Sequence, residues 1–213
     1  LIPILLGFLL SSETVNRWLA KQLVQQESRL QFEFNQGHLW RGWDLSNLVW
    51  QDDSVTIRID HLQLAWSPMC LLGPRLCIDS LHIGRLTVLS EPNDEQVERP
   101  ETLVLPDIRL PLGIQVDDLR IAELWLDETG PLLTDLHMIA HASGSHLMIH
   151  RFSGAGPGLD WLLDADLTMR ANWPLRLNLS ANLPEQQGQP WQADIRAAGS
   201  LDQLEVTAVS SGY

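Results

Sequence analysis

Residues 76–89 read LCIDSLHIGRLTVL, and the fold turns on how the apolar positions in that stretch are spaced. Leu76 and Ile78 stand two apart, a polar pair follows, then Leu81 and Ile83, another pair, and finally Leu86 and Val88. A separation of two is the strand period, because successive side chains point to opposite faces of a sheet. An ordinary strand would keep that alternation without interruption. Here every unit of five carries one residue too many. If the polar pair Asp79-Ser80 is a β-bulge, both residues leave the apolar face and the next Leu returns to it. A bulge also bends its strand and raises the local twist. The spacing therefore predicts a strand bent at intervals around its own apolar side.

The pattern recurs. Ile114, Val116, Leu119, Ile121, Leu124 and Leu126, within IQVDDLRIAELWL, repeat it 38 residues downstream with Asp117-Asp118 as the polar pair. Trp43, Leu45, Leu48 and Trp50 form a shorter copy around Ser46-Asn47, and Leu201, Leu204 and Val206 look like the start of a fourth. Self-similarity of this kind marks a repeat architecture, in which each unit needs its neighbours to complete a buried face. Plain alternation fills much of the rest: Leu30, Phe32 and Phe34; Val55, Ile57 and Ile59; Leu62 and Leu64; Leu175 to Leu183; Trp191 to Ala197. Such half-buried strands are characteristic of antiparallel sheets. The expected fold is mostly β, a curled antiparallel sheet forming an apolar groove. Its lining is expected from Ile57, Ile59, Leu62, Leu64, Leu76, Ile78, Leu81, Ile83, Leu86, Val88, Ile114, Val116, Leu119, Ile121, Leu124 and Leu126. A square β-helix with corners at the polar pairs would share the period, but it needs many consecutive units and small residues inside. Each run here stops after three units, with Leu, Ile and Val at the inward positions.

The 213 residues carry a net charge of -13, with one lysine, Lys21, among fourteen basic residues. An acidic surface of that size repels phosphate backbones, which argues against nucleic acid as a partner. The opening LIPILLGFLL is uncharged but about half the ~20 residues a helix needs to cross a bilayer. Leu1, Ile2, Ile4, Leu5, Leu6, Phe8, Leu9 and Leu10 are expected to be the end of a transmembrane anchor, residues 1–12. An amphipathic helix over 13–28 follows, with Val15, Trp18, Leu19 and Leu23 on one face. A plain buried helix is the alternative, and Arg17 and Lys21 just after the apolar run weigh mildly against an exported domain.

Cys70 and Cys77 bracket LLGPRL, whose Gly73-Pro74 is a turn signal between strand-like segments. That spacing suits a disulfide, worth roughly 2–3 kcal/mol for so short a loop, and such a bridge implies an oxidising compartment. Residues 29–89 are then a first β section and 114–213 its continuation. Between them, 90–113 hold four prolines and a dense acidic cluster, which reads as a loop because proline is confined to the edges and breaks of sheets.

Few residues point to chemistry. His137, His141, His146 and His150 could converge on zinc from two strands of a hairpin, or simply lie on its polar face; no Cys or Glu-x-x-His arrangement joins them. The many Asp and Glu fall mainly in turns and polar pairs, where they satisfy local backbone donors, so a glycosidase-like carboxylate pair is not expected. Gly154 to Gly158, GAGPG, lacks the GK[ST] ending of a phosphate loop and reads as a turn. Trp40, Trp43, Trp50 and Trp66 suit a membrane interface and a groove lining equally well. Neither an enzyme nor a cofactor is expected. A closed periplasmic β-sandwich or barrel that binds a partner or small ligand remains the competing architecture.

The order of features resembles the N-terminal region of the TamB family, within the broader AsmA-like group. It runs from the apolar anchor and amphipathic helix through Gly37-x-Leu39-x-x-Gly42-x-x-Leu45-x-x-Leu48-x-Trp50. Leu62-x-Leu64-x-Trp66, the two cysteines and Leu81-x-Ile83-x-x-Leu86-x-Val88 complete it. The resemblance is strongest over residues 1 to about 130. It implies an inner-membrane protein of a Gram-negative bacterium with a single-pass anchor and a periplasmic bulk. The fold implied is a tapered β-taco whose groove conducts phospholipid toward the outer membrane. It also implies a TamA-like outer-membrane barrel as partner, and a part in assembling autotransporters and other outer-membrane proteins.

Overall fold

The computed structural model describes residues 29–212 apart from 39, 53, 91–105, 128, 187 and 188. The expected anchor and amphipathic helix, residues 1–28, lie outside the described residues, as does most of the acidic insertion. Among the described residues no helix is long and apolar enough to cross a membrane.

Eleven strands form one sheet in chain order: β1 (Leu30–His38), β2 (Gly42–Gln51), β3 (Val55–Ser67), β4 (Arg75–Ser90), β5 (Gly113–Trp125) and β6 (Leu133–Ser143), then β7 (His146–Gly156), β8 (Leu159–Thr168), β9 (Pro174–Gln186), β10 (Gln189–Ser200) and β11 (Gln203–Gly212). β1 and β11 are its two edges and do not pair with each other, so the sheet is open. Among the described residues the sheet is therefore neither a closed barrel nor a two-sheet sandwich.

The expectation of an antiparallel sheet holds for nine of the ten pairings and is corrected at the tenth. β4 and β5 run parallel, with Leu76 beside Ile114, Ile78 beside Val116, Leu81 beside Leu119, Ile83 beside Ile121 and Leu86 beside Leu124. The 38-residue repeat is thus laid side by side, like position against like position. Parallel neighbours need a long return of the chain. Residues 91–112 supply it, with a reach of roughly 75 Å against a β4 length of about 50 Å.

The end of that return is tied to the sheet. Ile108 N–H donates to Met169 O, Leu110 N–H to Gly144 O, and Gly113 N–H to Pro74 O. The Asp107 carboxylate accepts from Ala171 N–H, and the Trp173 indole donates to Pro106 O. Residues 106–112 therefore run across the strand ends, past the β8–β9 and β6–β7 turns to the start of β4. Ala171 and Trp173 in the β8–β9 turn have φ of 53° and 51°, a left-handed conformation that side chains resist, and these bonds hold the turn there.

The bulges answer the spacing question. Two lines of irregular pairing cross the sheet. One passes through Ser46-Asn47, Asp60-His61, Gly84-Arg85, Ala122-Glu123 and Thr134-Asp135; from β2 to β6 both partners skip there in step, so the pairing is interrupted while the register is kept. The other passes through Asp79, Asp117-Asp118, Ile139 and His150-Arg151, ending opposite Asp164. Asn47 and Asp135 both have φ of 52°, and Asn and Asp tolerate that region better than other side chains. At the first line the Asp60 carboxylate accepts from the backbone N–H of both His61 and Arg85, each at 2.6 Å. Backbone donors that leave the ladder at a bulge need such a partner. Gly84 leaves room for it: a Cβ there would lie 2.7 Å from Asp60 Oδ1.

From β8 onward the irregularities thin out. β8–β9 and β10–β11 pair without a register shift, β9–β10 has a single one between Gln189 and Trp191 at the start of β10, and the expected fourth copy of the five-residue unit is not built. Leu201 lies in the turn before β11, while Leu204 and Val206 belong to regular alternation. GAGPG also differs from expectation: Gly154 to Gly156 end β7 and only Pro157-Gly158 turn.

Candidate functional site: an uncovered apolar face

The register gathers the apolar positions into rows that run across the strands. One row reads Trp43, Leu64, Leu81, Leu119, Met138, Phe152, Leu163, Leu179, Ile195 and Ala208, unbroken from β2 to β11. A second reads Trp66, Ile78, Val116, Ala140, Ile149, Ala165, Leu177, Ala197 and Val206, from β3 to β11. Further rows bring Leu45, Leu62, Ile83, Ile121 and Leu136 together, and Leu48, Ile59, Leu86 and Leu124. Leu76 with Ile114, and Ile57 with Val88, extend the face on either side. No charged residue interrupts any of these rows.

Nothing lies over this face among the described residues. Apart from a short 3-10 helix, Pro68–Leu72, against β4, each element's substantial contacts are with its neighbours in the sheet. Leu45, Ile59, Leu136, Ala140, Ala142 and Ala197 are buried by the side chains around them. Most of the other large apolar side chains remain half-buried, which is the state of a face with no second layer. Leu126, expected at the end of a row, lies just past β5 and is 54% exposed. Of the tryptophans, Trp43, Trp50, Trp66, Trp161 and Trp191 share the apolar face by their pairings. Trp161 meets Phe152 edge-on at 4.8 Å and fills the space above Gly154, where a Cβ would come within 2.9 Å of its ring.

The opposite face is polar and braced by side-chain bonds. Asp118 accepts from His82, Arg120 and His137 at 2.9–3.1 Å, and the His82 bond, with Arg120 behind it, holds its carboxyl below the usual range. Asp44 gathers Asn35, His61 and Gln63, and the Asn35 bond chiefly lowers its pKa. Across the parallel pair, Glu123 accepts from Trp125 and Arg85, which lower its pKa in that order, while the Arg85 guanidinium sits 4.7 Å over the Trp125 ring. His141 and His150 stack at 5.9 Å, and His146 is 3.4 Å from Asp166. The four clustered histidines thus lie on the polar face of the β6–β7 hairpin. No group of three His, Cys, Asp or Glu side chains among the described residues is placed to hold a metal ion. Cys70 and Cys77 are joined, S–S 2.08 Å, fastening the 3-10 helix to β4, where Cys77 is buried.

An open sheet whose bulges return a repeated apolar pattern to one uncovered face defines a groove-forming β domain. The family model described as TamB, N-terminal domain, matches residues 2–103 and 89–213, and the chain belongs to that family. No curated protein and no solved structure matches it.

Proposed function

We propose that the apolar face is a conduit for phospholipid acyl chains in an inner-membrane-anchored, periplasmic protein of a Gram-negative cell. The observation that carries this reading is the row running without a charge from β2 to β11 on a face that nothing covers. Each methylene taken out of water is worth ~0.8 kcal/mol, so exposing a dozen while a lipid crosses between membranes costs on the order of 10 kcal/mol. A continuous apolar row lowers that barrier along its whole length, and no catalytic residue is required. Family membership supports a role in transport or assembly at the outer membrane. A TamA-like barrel is the proposed partner there.

A second reading uses the edges. β1 and β11 each have one side unpaired within the described sheet, and an unfolded outer-membrane strand could join either by β-augmentation. The two readings separate in a photo-crosslinking experiment in cells. Probes at Ile83 and Ile121 face the apolar side, and probes at Arg85 and Arg120 face the polar side. Phospholipid adducts at the first two sites alone fit the conduit. Adducts to outer-membrane polypeptides fit strand docking. An absence of lipid adducts at Ile83 and Ile121 in folded protein refutes the conduit.

A further inference from the structure

The strand ends border the apolar face on two sides, and the two borders differ in charge. One is formed by the start of β1, the β2–β3, β5–β6 and β7–β8 turns and the end of β4. Among its described charges Arg29 is bound to Asp52 at 2.7 Å, and Asp127 is occupied by Thr129. The other border carries Arg41 in the β1–β2 turn, Arg75 at the start of β4, Arg109 in the segment lacing the strand ends, and Arg170 in the β8–β9 turn.

All four of these arginines are exposed, and none forms an ion pair among the described residues. Two carboxylates share this border, Asp107 bonded by Ala171 N–H and Asp202 by the Asn172 amide, and neither is paired with one of the four arginines, which outnumber them. Elsewhere Arg85 and Arg120 are held by carboxylates at 3.0 and 2.9 Å. In a chain of net charge -13, four unpaired guanidinium groups along a single border set up a local positive potential.

We propose that this border binds the phosphate of a glycerophospholipid whose acyl chains lie in the groove, so that lipids travel with their headgroups along one side. The inference rests on the conduit reading above and adds a headgroup track to it. Guanidinium is the cation suited to phosphate, because its donors meet two oxygens at once. The groups are also spaced for transfer. Neighbouring strands are about 4.8 Å apart, which puts Arg75 roughly 10 Å from Arg41 along the groove, with Arg109 and Arg170 roughly 15–25 Å further on. A phosphate leaving one arginine is then within a side chain's length or two of the next. Exposure keeps each contact weak, which passage requires: a buried pair would trap the lipid.

The test uses full-length protein reconstituted in vesicles that hold equal amounts of phosphatidylglycerol and a diacylglycerol of the same acyl composition, with a photo-crosslinker at Ile121. The expected result is a preference for phosphatidylglycerol in the otherwise unchanged protein. Replacing Arg41, Arg75, Arg109 and Arg170 together by Gln should lower the captured ratio of phosphatidylglycerol to diacylglycerol by about three- to tenfold. The same positions changed to Lys should retain most of it. Arg151, Arg176 and Arg196 changed to Gln, on the polar face, should leave it unaltered. An unchanged ratio in the four-Gln protein, or an equal fall in the polar-face control, overturns the headgroup track while leaving the conduit standing. Failure of the unchanged protein to capture either lipid at Ile121 overturns the conduit, and the track with it.

Discussion

β2 to β7 and β8 to β11 present the same apolar face by different local means. In the first region the apolar residues recur with a five-residue unit, and two lines of interrupted pairing cross the sheet, one of them a run of bulges from Asp79 to His150-Arg151. In the second they alternate strictly, as in Leu175, Leu177, Leu179 and Ala181, and the strands pair without a shift apart from one at the start of β10. The rows nevertheless cross the boundary unbroken. Exposure is greatest on the far edge strand: Leu136 is 3% exposed and Val206 on β11 57%. Bending is therefore written into the spacing of the chain, whereas continuity of the face depends only on register. A bulged strand and a plain one can share a row so long as each returns an apolar residue at the right level.

That contrast is sharpest in core truncations. Leu136→Ala, in the bulged region, should cost about 2–4 kcal/mol, whereas Leu204→Ala on the open edge strand should cost below about 1 kcal/mol, since a side chain already in water leaves little cavity behind. Chemical denaturation of the two variants checks this, and equal losses would mean that the edge is covered.

The second contrast concerns what holds a bend. Asp60→Ala strips the partner from His61 N–H and Arg85 N–H at once and should destabilise by about 2–3 kcal/mol. Asp194→Ala, in a regular strand, removes a carboxylate that accepts from the Ser180 hydroxyl and should cost about 1 kcal/mol. Hydrogen exchange at Arg85 locates the effect: it should quicken in the first variant and stay as it was in the second.

Acid gives the smallest effect. Asp44, Asp118, Glu123 and Asp127 all have pKa values lowered by their hydrogen bonds, three of them in the bulged region and Asp127 just past β5. A carboxyl depressed in the folded protein contributes stability that is present above its unfolded pKa of about 4 and is lost as pH falls through the folded value. Because these groups are close to solvent the loss should be modest. Melting temperature should stay level from neutral pH to about 5 and fall below about 4. A fall that begins well above pH 5 would show that groups other than these four carboxyls set the acid limit.

The five-residue spacing, the copy 38 residues on, the cysteine pair and the polar pairs at the bends were legible in the linear chain, because each is a local pattern repeated often enough to stand above chance. The groove face followed from the same pattern once the bulges were granted. Two local readings failed for want of neighbours. Leu201, Leu204 and Val206 have the spacing of a bent unit, but Leu201 falls in the turn while Leu204 and Val206 pair with a regular strand, and Gly154 to Gly156 read as a turn because their pairing with β8 and the Leu136 side chain beside Gly154 appear only in the folded sheet.

The sequence by itself determined which residues are apolar together, where strands must bend and that two cysteines are close enough to join. Only the tertiary structure decided that β4 and β5 run parallel. The repeated spacing 0, 2, 5, 7, 10, 12 reads the same in either direction, so the pattern leaves orientation open. The return of the chain along the strand ends selects it. The same holds for the four arginines, which are scattered over 130 residues and stand on one border only because alternate turns of a meandering sheet fall on the same side.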